Sequence, residues 1–167
     1  MARVYVETSI VSHAVSRPSR SAHLAYLQKQ ARDWWAIEKS KFEITTSTLV
    51  LSEASRGDPK LVEKRLALLE GSQILEIDEK TAALAERFVF EFLIPPKASN
   101  DAIHVAAAVF AKADFLLTLN CRHIANAHIL PMVYRIIREQ GLPAPIICTP
   151  AEFLGDLYET DDEQPDS

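Results

Sequence analysis

Two kinds of segment alternate along this chain: short runs of β-branched and aromatic residues, and longer stretches whose apolar residues recur at helical spacing. The first short run is residues 3–6, and the polar residues after it should break the strand before a turn or helix. Residues 21–40 carry apolar side chains every three or four positions, which predicts an amphipathic helix. The chain therefore begins with a strand and a helix.

The same alternation continues to the C-terminal part of the chain. Ser47 is expected to cap one helix, Gly71 to end the next, and Pro95 to break a third. The predicted strands are residues 42–46, 74–77, 114–119 and 146–148. The helix after Ser47 carries Leu49, Val50 and Glu53 and is expected to end at residues 57–59. The other predicted helices are residues 60–70, 78–92, 101–113 and 131–140, with a last one after Thr149 and Pro150.

The helix predicted at residues 101–113 is apolar on nearly every face, so it should be buried against a sheet. Strands that alternate with helices favour an α/β domain with a mainly parallel sheet. In such folds, ligands gather beyond the carboxyl ends of the strands. Functional residues are therefore expected where the predicted strands end.

The composition is that of one ordinary domain. A chain of 167 residues can bury a core without disulfides or structural metals, and its 48% hydrophobic and 25% charged residues are typical of soluble proteins. No apolar stretch approaches the ~20 residues that span a bilayer, and no secretory leader opens the chain, so we expect a cytoplasmic protein. Cys121 and Cys148 are too few and too far apart to predict a zinc site or disulfide framework, and we expect reduced thiols.

The formal net charge of −5 comes from the C-terminal end of the chain. Residues 159–167 hold five acids and no basic residue, and without them 18 basic residues balance 18 acidic ones. A neutral body lacks the strong positive balance of a protein that coats nucleic acid, so any such binding should be local and transient. The acidic tail is expected to be disordered. We therefore predict a domain at residues 1–158 and a tail at residues 159–167.

Four metal-capable side chains stand where predicted strands end or helices begin: Glu7, Glu53, Asp101 and Asn120. Each has an ordinary structural explanation, as a strand end, an exposed helix residue, a helix N-terminal acid or a turn former. Together they indicate more, because Glu53 follows an apolar run and Asp101 opens a helix that should be buried. A buried carboxylate needs a partner, and a hard cation such as Mg²⁺ or Mn²⁺ is a suitable one. The pattern favours phosphodiester chemistry.

Five segments, in this order, resemble the PIN domain family, and specifically its VapC-like branch of type II toxin–antitoxin ribonucleases. They are YVETSI, STLVLSEASRGDP, NDAIHVAAA, LLTLNCRHIAN and PIICTPAEF, and together they cover nearly the whole body of the chain. The resemblance implies a three-layer α/β/α fold with a mainly parallel central sheet. It also implies an acidic cluster that binds Mg²⁺ or Mn²⁺, hydrolysis of RNA phosphodiester bonds, and a cognate antitoxin protein as partner.

By position, the resemblance assigns Glu7, Glu53, Asp101 and Asn120 to the catalytic site, with the three acids as metal ligands. Two positions depart from the family pattern. The first acid is usually aspartate, so Glu7 adds a methylene group. Asn120 stands where many members carry aspartate, and it offers a neutral carbonyl oxygen instead. The site thus has three formal negative charges, which favours one firmly bound metal ion over two and permits reduced activity.

Further residues beside these motifs are candidates for contact with RNA. Ser9 could hydrogen-bond a carboxylate or a phosphate, although a serine at a helix start needs no function. Three basic residues could meet phosphate oxygens, or be ordinary solvated side chains: Arg56, Lys97 and Arg122. The adjacent Trp34 and Trp35 and the apolar stripe of the helix at residues 21–40 favour a homodimer, as the family resemblance also does.

These observations leave several functions open. The leading one is a metal-dependent endoribonuclease that acts as a toxin, and the alternative is a PIN-like module with weakened catalysis that binds RNA or protein. Binding of Mn²⁺ separates them. A Rossmann-like nucleotide binder is disfavoured, since the chain has only 4 glycines and no GxGxxG turn. A transition-metal site at His104, Cys121 and His123 is also disfavoured, because their spacing is not that of a zinc site.

Overall fold

The computed structural model describes residues 1–158, and the acidic tail predicted at residues 159–167 lies outside the described residues. Its strands are β1 (Arg3–Val6), β2 (Glu43–Ser47), β3 (Gln73–Leu75), β4 (Phe115–Leu117) and β5 (Ile146–Cys148). They form one sheet in the order β3-β2-β1-β4-β5, and all of their pairings are parallel. The predicted α/β class with a parallel sheet is confirmed.

The α-helices connect these strands. They are α1 (Thr8–Val15), α2 (Ala22–Ile37), α3 (Thr48–Ala54), α4 (Pro59–Leu69), α5 (Glu79–Phe90), α6 (Ser99–Phe110), α7 (Leu130–Glu139) and α8 (Gly155–Tyr158). Short 3₁₀ turns lie at Lys39–Lys41, Pro96–Ala98 and Pro150–Phe153. Within residues 1–158, no helix combines the length and the hydrophobicity that crossing a bilayer requires.

The order of the strands places helices on both faces of the sheet. From β1 the chain steps outward to β2 and β3, then returns to the other side of β1 to form β4 and β5. Because parallel crossovers are right-handed, helices of the first half cover one face and helices of the second half cover the other. The contacts agree, since α1 packs on α2, α3 and α4, whereas α5 packs on α6. This is the expected three-layer arrangement, and its topological switch point lies between β1 and β4.

Helix α6 is the buried helix that the sequence predicts. It packs against β2 and β4, and every residue from His104 to Val109 is buried. It begins at Ser99, two residues earlier than predicted, so Asp101 stands within its first turn. The early start follows the 3₁₀ turn at Pro96–Ala98, which already curves the chain before the helix.

The predicted N-cap at Ser47 is confirmed, and Asp78, where the sequence predicts the start of a helix, is also an N-cap. The Ser47 side chain accepts a hydrogen bond from the backbone N–H of Val50 at the start of α3, and Asp78 accepts one from Thr81 at the start of α5. The segment after Pro150 differs from the prediction, because it forms a 3₁₀ turn followed by a four-residue helix.

The two adjacent tryptophans occupy different environments. Trp34 is fully buried and packs against Phe42 and Phe153, with ring centroids 6.0 and 6.2 Å away. Trp35 is half-buried, with the ammonium group of Lys39 over its ring. Of the pair, only Trp35 is therefore available to the predicted dimer interface.

Candidate active site

Glu7 occupies the switch point between β1 and β4. It follows the last residue of β1 and caps α1, where its side chain accepts a hydrogen bond from the backbone N–H of Ser9 at 3.1 Å. Its Oε2 also accepts from the Ser9 hydroxyl and from Thr118 Oγ1, the latter at 2.8 Å. Only 5% of Glu7 is exposed. Neutral donors therefore take the place of water around one oxygen of this carboxylate.

The loop after β4 is tied to the same point. The backbone N–H of Asn120 donates to Thr118 Oγ1 at 3.0 Å, and this hydroxyl in turn donates to Glu7. The Asn120 side chain makes its hydrogen bond within the same loop, where Oδ1 accepts from the backbone N–H of His123 at 3.0 Å. Asn120 thus lies next to Glu7 through Thr118, and its side chain stabilises the turn.

Glu53 reaches this edge of the sheet from α3. Its Oε1 accepts a hydrogen bond from Thr8 Oγ1 at 2.8 Å and another from His104 Nε2 at 2.5 Å. Because Thr8 directly follows Glu7, these contacts join the two acids through neighbouring residues at the start of α1. The Glu53 side chain is 24% exposed, so solvent reaches it, whereas His104 is completely buried behind it.

Glu53 stays ionised to lower pH than an ordinary glutamate. Burial alone would raise the pKa of Glu53, because it penalises the charged carboxylate. Interactions with His104, the hydrogen bond from Thr8 and the charge of Arg56 together outweigh burial, so the pKa of Glu53 lies below its usual value. Glu53 is therefore an anion throughout the neutral range and can attract a cation.

Asp101 lies in the first turn of α6, three residues before His104. Residues three apart on a helix share a face, so Asp101 stands on the side of α6 from which His104 contacts Glu53. Of the hydrogen bonds and ion pairs found within residues 1–158, none involves the Asp101 side chain. The positive end of the helix dipole favours its charge. Asp101 therefore has a carboxylate available for a ligand.

The three predicted basic residues are exposed: Arg56, Lys97 and Arg122. Arg56 is close enough to Glu53 to lower the pKa of that carboxyl. Within residues 1–158, none of the three side chains forms an ion pair. Their charges are thus available to phosphate oxygens.

The site offers oxygen ligands for a hard cation, but they are not already arranged around one point. Within residues 1–158, no group of three or more His, Cys, Asp or Glu side chains is arranged to hold a metal ion. Such a group is not required for Mg²⁺, which usually binds through one or two carboxylates and keeps waters and substrate phosphates as its other ligands. In Glu7 and Glu53, one carboxylate oxygen receives the hydrogen bonds and the other has no partner among the described residues. These oxygens fit a divalent cation, and the grouping of Glu7, Glu53 and Asp101 around one ion stays a prediction.

Three residues of the site were not singled out by the sequence: Thr8 and Thr118, which donate to the acids, and Tyr5, which contacts His104. The available signal for the two threonines was their position, since each lies within two residues of the carboxyl end of a parallel strand. His104 was expected to be buried, and it is. Its contact with Glu53 could not be foreseen, because the two residues are 51 positions apart.

Comparison with known proteins agrees with this architecture. The family model of the PIN domain matches residues 4–128 of the chain. The chain is also similar in structure to VapBC2 from Rickettsia felis, which was solved bound to a DNA fragment from its promoter. That match has 16% sequence identity and a TM-score of 0.53, and it covers 88% of this chain and 98% of the other. At this identity the similarity shows a shared fold.

A second solved structure is VapC20 from Mycobacterium tuberculosis, described as a toxin that cleaves the Sarcin-Ricin loop. It is 16% identical, with a TM-score of 0.48, and the match covers 72% of this chain and 92% of the other. No curated protein matches the sequence.

Proposed function

Because this chain belongs to the PIN domain family, we propose that it is a metal-dependent endoribonuclease and the toxin of a type II toxin–antitoxin pair. The observation that carries this proposal is the pair of glutamates at the switch point of the sheet. Glu7 and Glu53 are each held through one oxygen and present the other without a partner among the described residues. Ligands of open α/β sheets bind at such a position.

In this proposal Glu7, Glu53 and Asp101 hold one Mg²⁺ or Mn²⁺ ion. A bound divalent ion supplies a water of lowered pKa and stabilises the negative charge that develops on phosphate. The protein residues hold the acids in place, because Ser9, Thr118 and Thr8 donate hydrogen bonds to the two glutamates. Asn120 maintains the adjacent turn.

The RNA would approach over the exposed basic residues at the rim of the site. Arg56 lies beside Glu53, while Lys97 shortly precedes α6 and Arg122 follows Asn120 in the sequence, so each is close along the chain to a different part of the proposed site. Three separate charges around one site suit a phosphate backbone that runs across it. The balanced charge of the body of the chain keeps this contact local.

We propose a cognate antitoxin and a second copy of the chain as protein partners. The similarity of fold to VapBC2 supports the antitoxin. The exposed apolar side chains of α2 support a homodimer: Leu24, Tyr26 and Ile37. Light scattering at micromolar concentration measures this directly, and a monomeric mass for both the wild type and Ile37→Ser would contradict the dimer.

The alternative, a binding module with weakened catalysis, also has an observation in its favour. The Asn120 side-chain oxygen, at the position where many relatives have a fourth carboxylate, is engaged by the backbone of His123. A module of this kind would bind RNA with the same affinity in Mn²⁺ and in chelator, and would not cleave it.

The decisive experiment combines calorimetric titration with Mn²⁺ and cleavage of single-stranded RNA. We expect the wild type to bind Mn²⁺ and to cleave RNA, with cleavage lost in chelator. Glu7→Gln should weaken Mn²⁺ binding by about tenfold or more, since it removes one of three charges at the site. Glu139→Gln is the matched control, because this exposed acid at the end of α7 pairs with Arg135 away from the site. Cleavage that persists in chelator, or a wild type that does not bind Mn²⁺, would overturn the proposal.

A further inference from the structure

A chain of polar side chains runs through the core behind Glu53. Ser47 Oγ lies 2.7 Å from the Tyr5 hydroxyl, and this hydroxyl lies 3.1 Å from Nδ1 of His104. On the other side of the imidazole ring, Nε2 lies 2.5 Å from Glu53 Oε1. Ser47, Tyr5 and His104 are all 0% exposed. A buried connection therefore joins β2, β1 and α6 to the one partly exposed member, Glu53.

The groups at the two ends of this series, the Glu53 carboxylate and the backbone N–H of Val50, determine which atom donates in each hydrogen bond. The ionised carboxylate of Glu53 can only accept, so Nε2 of His104 is the donor in their contact. Nδ1 is then free to accept from the Tyr5 hydroxyl, whose oxygen accepts from Ser47. Ser47 Oγ in turn accepts from the backbone N–H of Val50 at 3.4 Å. In this arrangement every hydroxyl has an acceptor, and all donations run toward Glu53.

Polar side chains are not needed at these positions to fill the core. Phenylalanine, alanine and leucine would pack in such positions without polar atoms to satisfy, and buried polar networks are often no more stabilising than apolar packing. The series of hydrogen bonds instead orients Glu53, because it ends on one specific oxygen of this partly exposed carboxylate. Thr8 donates to the same oxygen at 2.8 Å. The two donors fix Oε1, and Oε2 stays without a partner among the described residues.

We propose that His104, held in place by Tyr5 and Ser47, is a positioning residue for Glu53, so that Oε2 of this carboxylate is presented to the metal-binding site. The inference deepens the proposed nuclease function and rests on it for the identity of the ligand. Outer-shell partners of this kind orient the residues that bind a metal, and their loss typically costs ~10- to 100-fold in affinity or activity. His104 itself is too deeply buried to touch RNA.

Two conservative variants of His104 each keep one of its two hydrogen bonds and remove the other. In His104→Gln the side-chain amide takes the place of Nε2, so a donor to Glu53 is kept and the contact with Tyr5 is lost. In His104→Asn the amide takes the place of Nδ1, so the contact with Tyr5 is kept and the donor to Glu53 is lost. We expect Mn²⁺ affinity and kcat to fall about tenfold in the Asn variant and to stay within about threefold of the wild type in the Gln variant, with KM for RNA unchanged in both.

A purely structural role makes a different prediction. If His104 only fills the core, the two variants should lose stability but show the same Mn²⁺ affinity and the same kcat. Equal values in the Gln and Asn variants would therefore overturn the proposal, whatever their thermal stability.

Tyr5→Phe tests the rest of the chain, with Tyr134→Phe as its matched control. Both changes remove one phenol hydroxyl, but the Tyr134 hydroxyl accepts from the backbone N–H of Ile147 on β5, away from the acids. We expect Tyr5→Phe to weaken Mn²⁺ binding several-fold and Tyr134→Phe to leave it unchanged. An unchanged Mn²⁺ affinity in Tyr5→Phe would show that Tyr5 does not act through His104.

Crystal structures of the two His104 variants separate this inference from the proposed function. Glu53 should keep its contact with Thr8 in the Gln variant and leave it in the Asn variant. A Glu53 side chain that stays in place in both variants overturns the positioning role, even if the protein is an active nuclease. Movement in the Asn variant, in a protein that neither binds Mn²⁺ nor cleaves RNA, would uphold the geometric role and refute the nuclease.

Discussion

The two ends of the central sheet are built from different chemistry. At the amino ends of the strands, aromatic rings close the sheet, with Phe115 and Phe153 at 5.2 Å and Phe42 and Phe153 at 5.6 Å between centroids. At the carboxyl ends, Glu7, Ser47 and Thr118 line the edge. Because all strands are parallel, their starts meet at one edge and their ends at the other. The fold thus places an aromatic cluster at one edge of the sheet and the candidate functional residues at the opposite edge.

The polar contacts at the two ends differ as well. At the amino end, the Arg3 side chain donates to Glu43 at 3.1 Å and to the backbone carbonyl of Ala111 at 2.8 Å, and the Arg3 backbone N–H donates to Asp114. These contacts satisfy charges with opposite charges and with backbone groups. At the carboxyl end, Glu7 and Glu53 accept hydrogen bonds from neutral donors through one carboxylate oxygen. The other oxygen of each has no partner among the described residues. Substitutions at the amino end should therefore change stability, and those at the carboxyl end should change activity.

The largest expected effect is on stability at the aromatic end. Trp34→Ala removes a fully buried ring and should lower the free energy of unfolding by about 3–5 kcal/mol. Urea unfolding measures the loss, and kcat per folded molecule should be unchanged. Trp35→Ala is the control, since its half-buried ring should cost much less. Equal losses in the two variants would show that the aromatic cluster is not the main support of this end.

The next largest effect is on activity at the acidic end. Asp101→Asn removes a charge without changing the shape of the side chain and should reduce Mn²⁺-dependent cleavage by about 100-fold or more. Glu79→Gln removes an equivalent acid from the first turn of α5 and should leave cleavage unchanged. Both should alter stability by about 1 kcal/mol or less, as expected for acids near a helix N-terminus. Wild-type rates in Asp101→Asn would remove this residue from the site.

Thr118→Val should affect both properties at once. The hydroxyl donates to Glu7 and accepts from the backbone of Asn120, so its loss should cost about 1–3 kcal/mol of stability and roughly tenfold in kcat. Thr81→Val is the matched control, because its buried hydroxyl donates to Asp78, the N-cap of α5. That variant should lose stability and keep its activity. A similar drop in kcat in both variants would show that the loss does not come from the contacts of Thr118 with Glu7 and Asn120.

Asn120→Asp should have a smaller effect on metal binding. Aspartate keeps the acceptor for the backbone of His123 and adds a charge, so Mn²⁺ affinity should rise a few-fold and the melting temperature in chelator should fall. Asn126→Asp is the control, since Asn126 also accepts from a backbone N–H in the same loop, that of His128. If Asn120→Asp changes neither quantity, Asn120 acts in the turn alone.

The smallest expected effect is the pH dependence contributed by Glu53. Its folded pKa lies below the ordinary value of 4.5, so its stabilising contribution is fully present above pH 4.5 and is lost as the pH falls through the folded pKa. Glu53→Gln should therefore flatten the loss of stability on acidification below pH 4.5. Urea unfolding between pH 3 and 7 measures this, with Glu139→Gln as control. An unchanged slope would mean that the contacts of Glu53 with His104 and Thr8 do not stabilise the charged form.

Local sequence determined the elements of this protein. The order of strands and helices, the burial of α6 and the caps at Ser47 and Asp78 follow from periodicity and from side chains that bond within three residues. The positions of Glu7 and Asn120 at strand ends follow in the same way. The five motifs were enough to indicate the family, because each lies within one short segment.

The tertiary structure alone decided which residues meet. Thr118 and Glu7 are separated by 111 positions, and His104 and Tyr5 by 99, so no local pattern could pair them. The parallel register brings the strand ends to one edge, and the right-handed crossovers bring α6 behind β1 and β2. The sequence supplied the acids, and the packing of distant elements determined which of their oxygens are held and which remain available to a ligand.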